Sequence, residues 1–167
     1  GVTYTPIYDS QIVTNRGVKL LATGKSLWKY ANLYFQPRNP MLFRVLFEVN
    51  KNDIAILGVR RDVVSVPGAL VSTGNAASAA SSILPLKEGM KAIYAMWQVI
   101  DSEWWKEEDG SKRKIMAECL IPDVVPSDFI HTIYVANHAA AEKVRALARP
   151  GVSVVPEPHM FFQPLRQ

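Results

Sequence analysis

The chain has 167 residues, which fits one domain, and its 49% hydrophobic content supports a folded core and excludes a disordered segment. No apolar run approaches the roughly 18 residues of a membrane span, and no signal-peptide pattern opens the sequence. Cys119 is the lone cysteine, so an internal disulfide is excluded and a cytoplasmic setting is expected. The net charge of +4 is unevenly placed: residues 1–61 carry nine Lys/Arg against Asp9, Glu48 and Asp53, whereas residues 62–167 carry ten against twelve acids. A basic first third suits a phosphate-rich partner, although a solvated basic face has the same signature.

Residues 1–29 show weak periodicity and read as irregular, with one short helix. Residues 41–48 (MLFRVLFE) and 53–60 (DIAILGVR) read as strands joined by a polar turn at residues 50–52, and residues 69–72 as a short third strand. Gly74-Asn75 breaks that strand, and Asn75 is a candidate N-cap for an Ala/Ser-rich helix. Residues 88–105 read as a longer helix with Ile93, Met96, Trp97 and Ile100 on one face. A charged stretch over residues 106–114 turns at Asp109-Gly110. Strands follow at residues 113–121 and 131–135, then a helix at 138–148 that stops before Pro150-Gly151, and short strands at 152–155 and 159–162. Many strands with interspersed helices, lacking a regular βαβ rhythm, indicate an α+β or mixed α/β domain.

There is no GxGxxG, no P-loop, no HExxH and no paired-cysteine pattern, and His131, His138 and His159 lack ligand spacing, so no metal is expected. Glu118 stands out on the strand KIMAECLI, where alternation places Met116, Glu118 and Leu120 on one face and Ile115, Ala117, Cys119 and Ile121 on the other. A half-exposed strand face bearing an ordinary acid fits the same pattern. Arg38 sits in YFQPRNPML between two stiffening prolines, which suits bidentate binding of phosphate or carboxylate, and equally a surface turn. Tyr30, Tyr34 and Phe35 precede it, while Trp104-Trp105 lead into Lys112, Arg113 and Lys114. Aromatics interleaved with cations suit a single-stranded nucleic-acid groove, though core packing explains most of them. Two adjacent tryptophans at a helix end are not expected to share one core. Cys119 reads as core, not nucleophile.

The segments YFQPRNPML, VSTGNAASAA and RKIMAECLIP, in that order, resemble the DarT family of DNA ADP-ribosyltransferase toxins over nearly the whole chain. The resemblance implies an α+β ADP-ribosyltransferase-like fold of two small packed mixed sheets with flanking helices. It implies that NAD⁺ is consumed as a substrate to modify a base in single-stranded DNA, thymidine in preference to guanosine. A DarG-like macrodomain antitoxin would be the partner that removes the modification. Matched by motif, Arg38 and Glu118 become the catalytic residues, with Arg38, Tyr34 and Met41 against NAD⁺. Asn75, Trp104, Trp105, Lys112, Arg113 and Lys114 become DNA contacts, the last five on a nucleotide-presenting loop over residues 104–114. Family members carry a His-x-Thr-like NAD⁺ element upstream, and nothing in residues 1–29 replaces it. A single domain over residues 1–167, incomplete at its N-terminus, is therefore expected. A same-fold enzyme acting on RNA or protein and a non-catalytic single-strand-binding module are the alternatives.

Overall fold

The strand that carries Glu118 is the hub of the larger sheet. In the computed structural model, which describes Thr14, Arg16, Gly17, Lys19, Leu21 and residues 24–163, β5 (Glu118–Pro122) has a partner on each side. Its first four residues are buried. β1 (Tyr30–Tyr34) runs antiparallel along one edge, in a register from Tyr30 opposite Pro122 to Tyr34 opposite Glu118. β3 (Leu70–Ser72) lies on the other edge with Ser72 opposite Glu118, and β4 (Ile83–Pro85) completes the order β1-β5-β3-β4. Period-two alternation divides β5 as expected. Leu120 packs with Leu21, Leu27, Tyr30 and Ala76 on one side. Cys119 and Ile121 pack with Val63 and Ala69 on the other, where burial pushes the Cys119 thiol up to about 11. The thiol is core, as its place in the alternation implies.

The second sheet has the order β2-β6-β7, from β2 (Ala55–Val59), β6 (Ile130–Val135) and β7 (Ser153–Pro156). β6 and β7 are parallel and so require a crossover, which α5 (His138–Arg145) supplies. Asn137 caps α5 by accepting from the Ala140 N–H at 3.0 Å, and Ala140, Ala141 and Val144 cover Ile133, Val135 and Val154. The expected α+β class with two small sheets is what the structure has. The larger sheet is wholly antiparallel and only the smaller one is mixed.

Five local expectations need correction. Residues 41–48 form a helix, not a strand: α1 (Pro40–Glu48) starts at Asn39, whose side chain accepts from the Met41 and Leu42 N–H groups, with Pro40 in the first turn. No helix follows Asn75. The Ala76 and Ser78 carbonyls that a helix would use are taken by Lys19, and the Ala76 N–H, which no helix would engage at that position, goes to Glu118. The helix expected over residues 88–105 is α2 (Leu86–Ala95), broken at Met96 (φ −114°, ψ 18°), then the single turn α3 (Trp97–Ile100). Residues 111–114 form the turn α4 (Ser111–Lys114) behind left-handed Gly110, so the strand begins only at Glu118. Finally, Pro158–Phe161 is a 3-10 turn, since Pro158 offers no strand donor. The expected irregular opening lies for the most part outside the described residues, as does any upstream NAD⁺ element.

α2 lies on β3 through Gly89, where an added Cβ would come within 2.4 Å of the Val71 Cβ. Alanine ordinarily improves a helix interior by about 1 kcal/mol over glycine. Here overpacking costs about 1–3 kcal/mol and wins. Gly89→Ala is expected to lower the urea midpoint with an unchanged slope; a raised midpoint would show that the two backbones are not in contact.

Candidate active site

Glu118 is fully buried on the same face of β5 as Leu120, and among the described residues three donors hold its carboxylate. Oε2 accepts from Arg16 Nη2 at 3.0 Å and from Asn32 Nδ2 at 2.5 Å; Oε1 accepts from the Ala76 N–H at 2.8 Å. Asn32 reaches it because its position in β1 points to the same sheet face, two residues from Tyr34. A carboxylate offers about four acceptor directions, and the donors among the described residues leave one on Oε1 unused. Tyr34, directly across from Glu118, has its phenol pushed well above the ordinary range by burial and then by the Glu118 charge, so it stays protonated.

The loop over residues 73–82 is clamped from two sides. Lys19 Nζ donates to the Ala76 and Ser78 carbonyls, at 2.5 and 2.9 Å, and its pKa is lowered by burial and by neighbouring Arg16. Arg113 Nη1 donates to Ser81 Oγ at 3.2 Å and to the Thr73 carbonyl at 3.4 Å, while the Asn75 N–H reaches the Arg113 carbonyl at 3.0 Å. Gly74 is required at this crossing, because a Cβ would lie 2.6 Å from Arg113 Nη1 and 2.8 Å from the Arg113 carbonyl. Arg113 is thus a strut inside the protein. The Asn75 side chain turns back to accept from the Ala77 N–H. Lys112 pairs with Glu107, which is held below the usual carboxylate range by that hydrogen bond.

Arg38 occupies a different setting. Its backbone N–H donates to Gln36 Oε1 at 3.1 Å, and buried Asn39 ties Gln36 to the first turn of α1, so the segment between the two prolines is rigid. The guanidinium lies 4.7 Å from the Phe162 ring centroid. Its Nε and Nη1 are buried and have no hydrogen-bond partner among the described residues. Arg38 lines a cleft of about 610 Å³ with Phe35, Trp97, Asp101, Glu103 and His159. Two buried, unsatisfied N–H groups cost free energy unless a ligand completes them.

The wall beside Arg38 is aromatic. Trp104 and Trp105 stack at 5.0 Å and 16°, and both meet Phe43 and Phe162 edge-on. Contrary to expectation the adjacent tryptophans share one cluster. The chain there is irregular and not a helix end, so consecutive side chains can turn the same way. Trp104 remains 55% exposed, which leaves ring surface free. Phe162 adopts a left-handed backbone (φ 58°), a conformation costly for a bulky residue and held here by its ring contacts.

Arg38 and Trp104-Trp105 are thus brought together through Phe162, and Met41 is the second residue of α1, three positions after Arg38. Glu118 and Tyr34 lie across one strand pair, with Arg38 four residues beyond Tyr34. No hydrogen bond or ion pair joins Arg38 to Glu118; among the described residues the cation on Glu118 is Arg16. Arg16, Lys19 and Asn32 were not legible as site residues. Among the described residues no group of three His, Cys, Asp or Glu could hold a metal, and no helix is long and apolar enough to cross a membrane.

Comparison with known proteins gives a consistent picture. A family model described as "DarT: ssDNA thymidine ADP-ribosyltransferase, DarT" matches residues 1–162. A "DNA ADP-ribosyl transferase-DNA ADP-ribosyl glycohydrolase fusion protein" of Thermosipho africanus (strain H17ap60334) is 45% identical over 163 residues, 96% of this chain and 42% of that protein. The solved structure of Thermosipho africanus DarTG in complex with ADP-ribose aligns with a TM-score of 0.87 at 42% identity, covering 96% of this chain and 43% of that one. Thermus sp. 2.9 DarT in complex with ADP-ribosylated ssDNA shares the fold, with a TM-score of 0.81 at 19% identity over 94% of this chain and 81% of that one. The chain thus spans less than half the length of the Thermosipho relative it matches.

Proposed function

Since the chain belongs to the DarT family of single-stranded-DNA thymidine ADP-ribosyltransferases, we propose that it transfers ADP-ribose from NAD⁺ to thymidine in single-stranded DNA. The observation that carries this reading is the orphaned pair of buried guanidinium nitrogens on Arg38, a residue that lines a cleft large enough for part of a dinucleotide. A diphosphate oxygen is the kind of acceptor those nitrogens lack, and a planar fork binds it in two places. NAD⁺ supplies an electrophilic ribose carbon and a good leaving group in nicotinamide.

Glu118 acts at that carbon. As the C1′–nicotinamide bond breaks, with its electron pair leaving on nicotinamide, the carboxylate stabilises the positive charge that develops on the ribose. In a thymidine the deoxyribose occupies N1, so N3–H is the ring nitrogen left to attack; its bond to C1′ forms as its proton passes toward Glu118 and then to solvent. The unused acceptor direction on Oε1 is the one that serves this step. Glu118 is sealed from solvent in the ligand-free protein, so a local rearrangement must precede its contact with the ribose. Tyr34 and Met41 border the nucleotide, and the exposed Trp104 face stacks a base, with Trp105, Lys112, Lys114 and Asn75 along the strand's path. Arg113 serves by holding the loop. Single-stranded substrate avoids the cost of extracting a base from a duplex. A glycohydrolase that reverses the modification is the fitting partner, in the cytoplasm, and residues 1–167 form a single transferase domain.

The test is to incubate the protein with labelled NAD⁺ and four homogeneous-base oligonucleotides and to measure adduct masses. One ADP-ribosyl adduct on the thymidine oligomer is expected. Adducts on another base would overturn the target, and label on none of the four would overturn the activity.

A further inference from the structure

We infer that Arg16 is a positioning residue for the transfer reaction, orienting the Glu118 carboxylate without touching the base; this rests on the function proposed above. Arg16 Nη2 meets Glu118 Oε2 at 3.0 Å across 102 residues of sequence, with the two residues 9% and 0% exposed. Among the described residues it is the cation that hydrogen-bonds the carboxylate, since neighbouring Lys19 donates to the Ala76 and Ser78 carbonyls. The Arg16 segment is itself held down: Ser26 Oγ donates to the Gly17 carbonyl at 2.8 Å and to the Arg16 carbonyl at 3.4 Å.

A buried ion pair is a poor device for stability, because desolvation offsets most of the attraction and an apolar pair of similar volume does as well or better. Its geometry is what matters here. With Asn32 on the same oxygen, Arg16 fixes the plane of the carboxylate, so that two donors engage Oε2 and one engages Oε1. The remaining acceptor direction is then aimed by the protein, and not by the substrate. A reacting group must be held within a few tenths of an ångström, and a misplacement of about 1 Å costs roughly 100-fold.

The test compares wild type with Arg16→Ala and Arg16→Lys in the full chain, using NAD⁺ and a thymidine oligomer, with thermal midpoints to confirm folding. For Arg16→Ala, kcat is expected to fall about 100-fold while the KM for NAD⁺ stays within about threefold. Millimolar guanidinium ion should restore part of the loss, a response that a merely structural role does not give. Arg16→Lys keeps a charge but loses the planar fork, so an intermediate kcat about tenfold below wild type is expected, and this variant decides if the alanine variant fails to fold. A kcat within twofold of wild type in either folded variant would overturn the inference. So would a raised KM at unchanged kcat, which would place Arg16 on NAD⁺, or a folded Arg16→Ala unresponsive to guanidinium. An inactive wild type counts against the transferase reading itself; an active wild type with unaffected Arg16 variants counts against Arg16 alone.

Discussion

Glu118→Gln is expected to reduce transfer by about 10³- to 10⁴-fold and to destabilise the protein at the same time. The rate effect combines loss of the proton acceptor with loss of the negative charge facing the ribose. The stability effect follows from the three donors around the carboxylate. A glutamine must turn its NH₂ either toward the Ala76 N–H or toward Arg16 and Asn32, so donor faces donor, and the Arg16 guanidinium keeps only a neutral partner. Breaking a buried pair from one side costs about 3–5 kcal/mol. At this chain length each kcal/mol moves the midpoint by about 2–4 °C. Calorimetry and single-turnover transfer on the same preparation would read both effects. A glutamine variant with wild-type transfer would remove Glu118 from the chemistry, and one with a wild-type midpoint would contradict the donor cradle.

Arg38→Met is expected to separate the same two quantities in the opposite direction. Methionine preserves apolar contact with Phe162 while deleting the nitrogens that are buried without partners, so the ligand-free midpoint should stay level or rise. Binding is where the loss falls. Removing a two-pronged phosphate contact should weaken NAD⁺ by about 10- to 100-fold, in keeping with the roughly 1.5–3 kcal/mol of hydrogen bonds to charged groups. Wild type at 100 times its Kd gains about 2.7 kcal/mol from ligand, and the variant at the same concentration should keep about 1.4 kcal/mol if weakened 10-fold and about 0.4 kcal/mol if weakened 100-fold. Thermal shift against an NAD⁺ series measures it directly. Equal shifts in both proteins would show that Arg38 does not hold the dinucleotide.

Glu118 was legible because β alternation isolates one acid among apolar neighbours, and β5 keeps that alternation in the fold. Arg38 was legible for a similar reason, its flanking prolines marking a rigid loop. Their surroundings were not. Arg16 and Lys19 lie in a stretch of weak periodicity, and their significance comes from contacts 57 to 102 residues away. The helix α1 was mistaken for a strand because Met41, Leu42, Phe43, Val45, Leu46 and Phe47 form an almost continuous apolar run. The deciding signal was the Asn39-Pro40 pair at its start, an N-cap followed by a first-turn proline. At Ala76 the opposite occurred: a sound local helix signal was overridden by tertiary claims on the backbone.

The donors to Glu118 come from residues 16, 32 and 76, at separations of 102, 86 and 42 residues from it. Such long-range meetings close late in folding, because loop closure precedes any gain from the contact. Translation imposes the same order, since the ribosome delivers both basic and amide donors well before the acid exists. A growing or interrupted chain therefore carries the cradle without its carboxylate. β3 and β1 can be joined only through β5, which lies between them, so the carboxylate arrives on the strand that closes the larger sheet. Completion of that sheet and arrival of the carboxylate in its cradle are therefore one event.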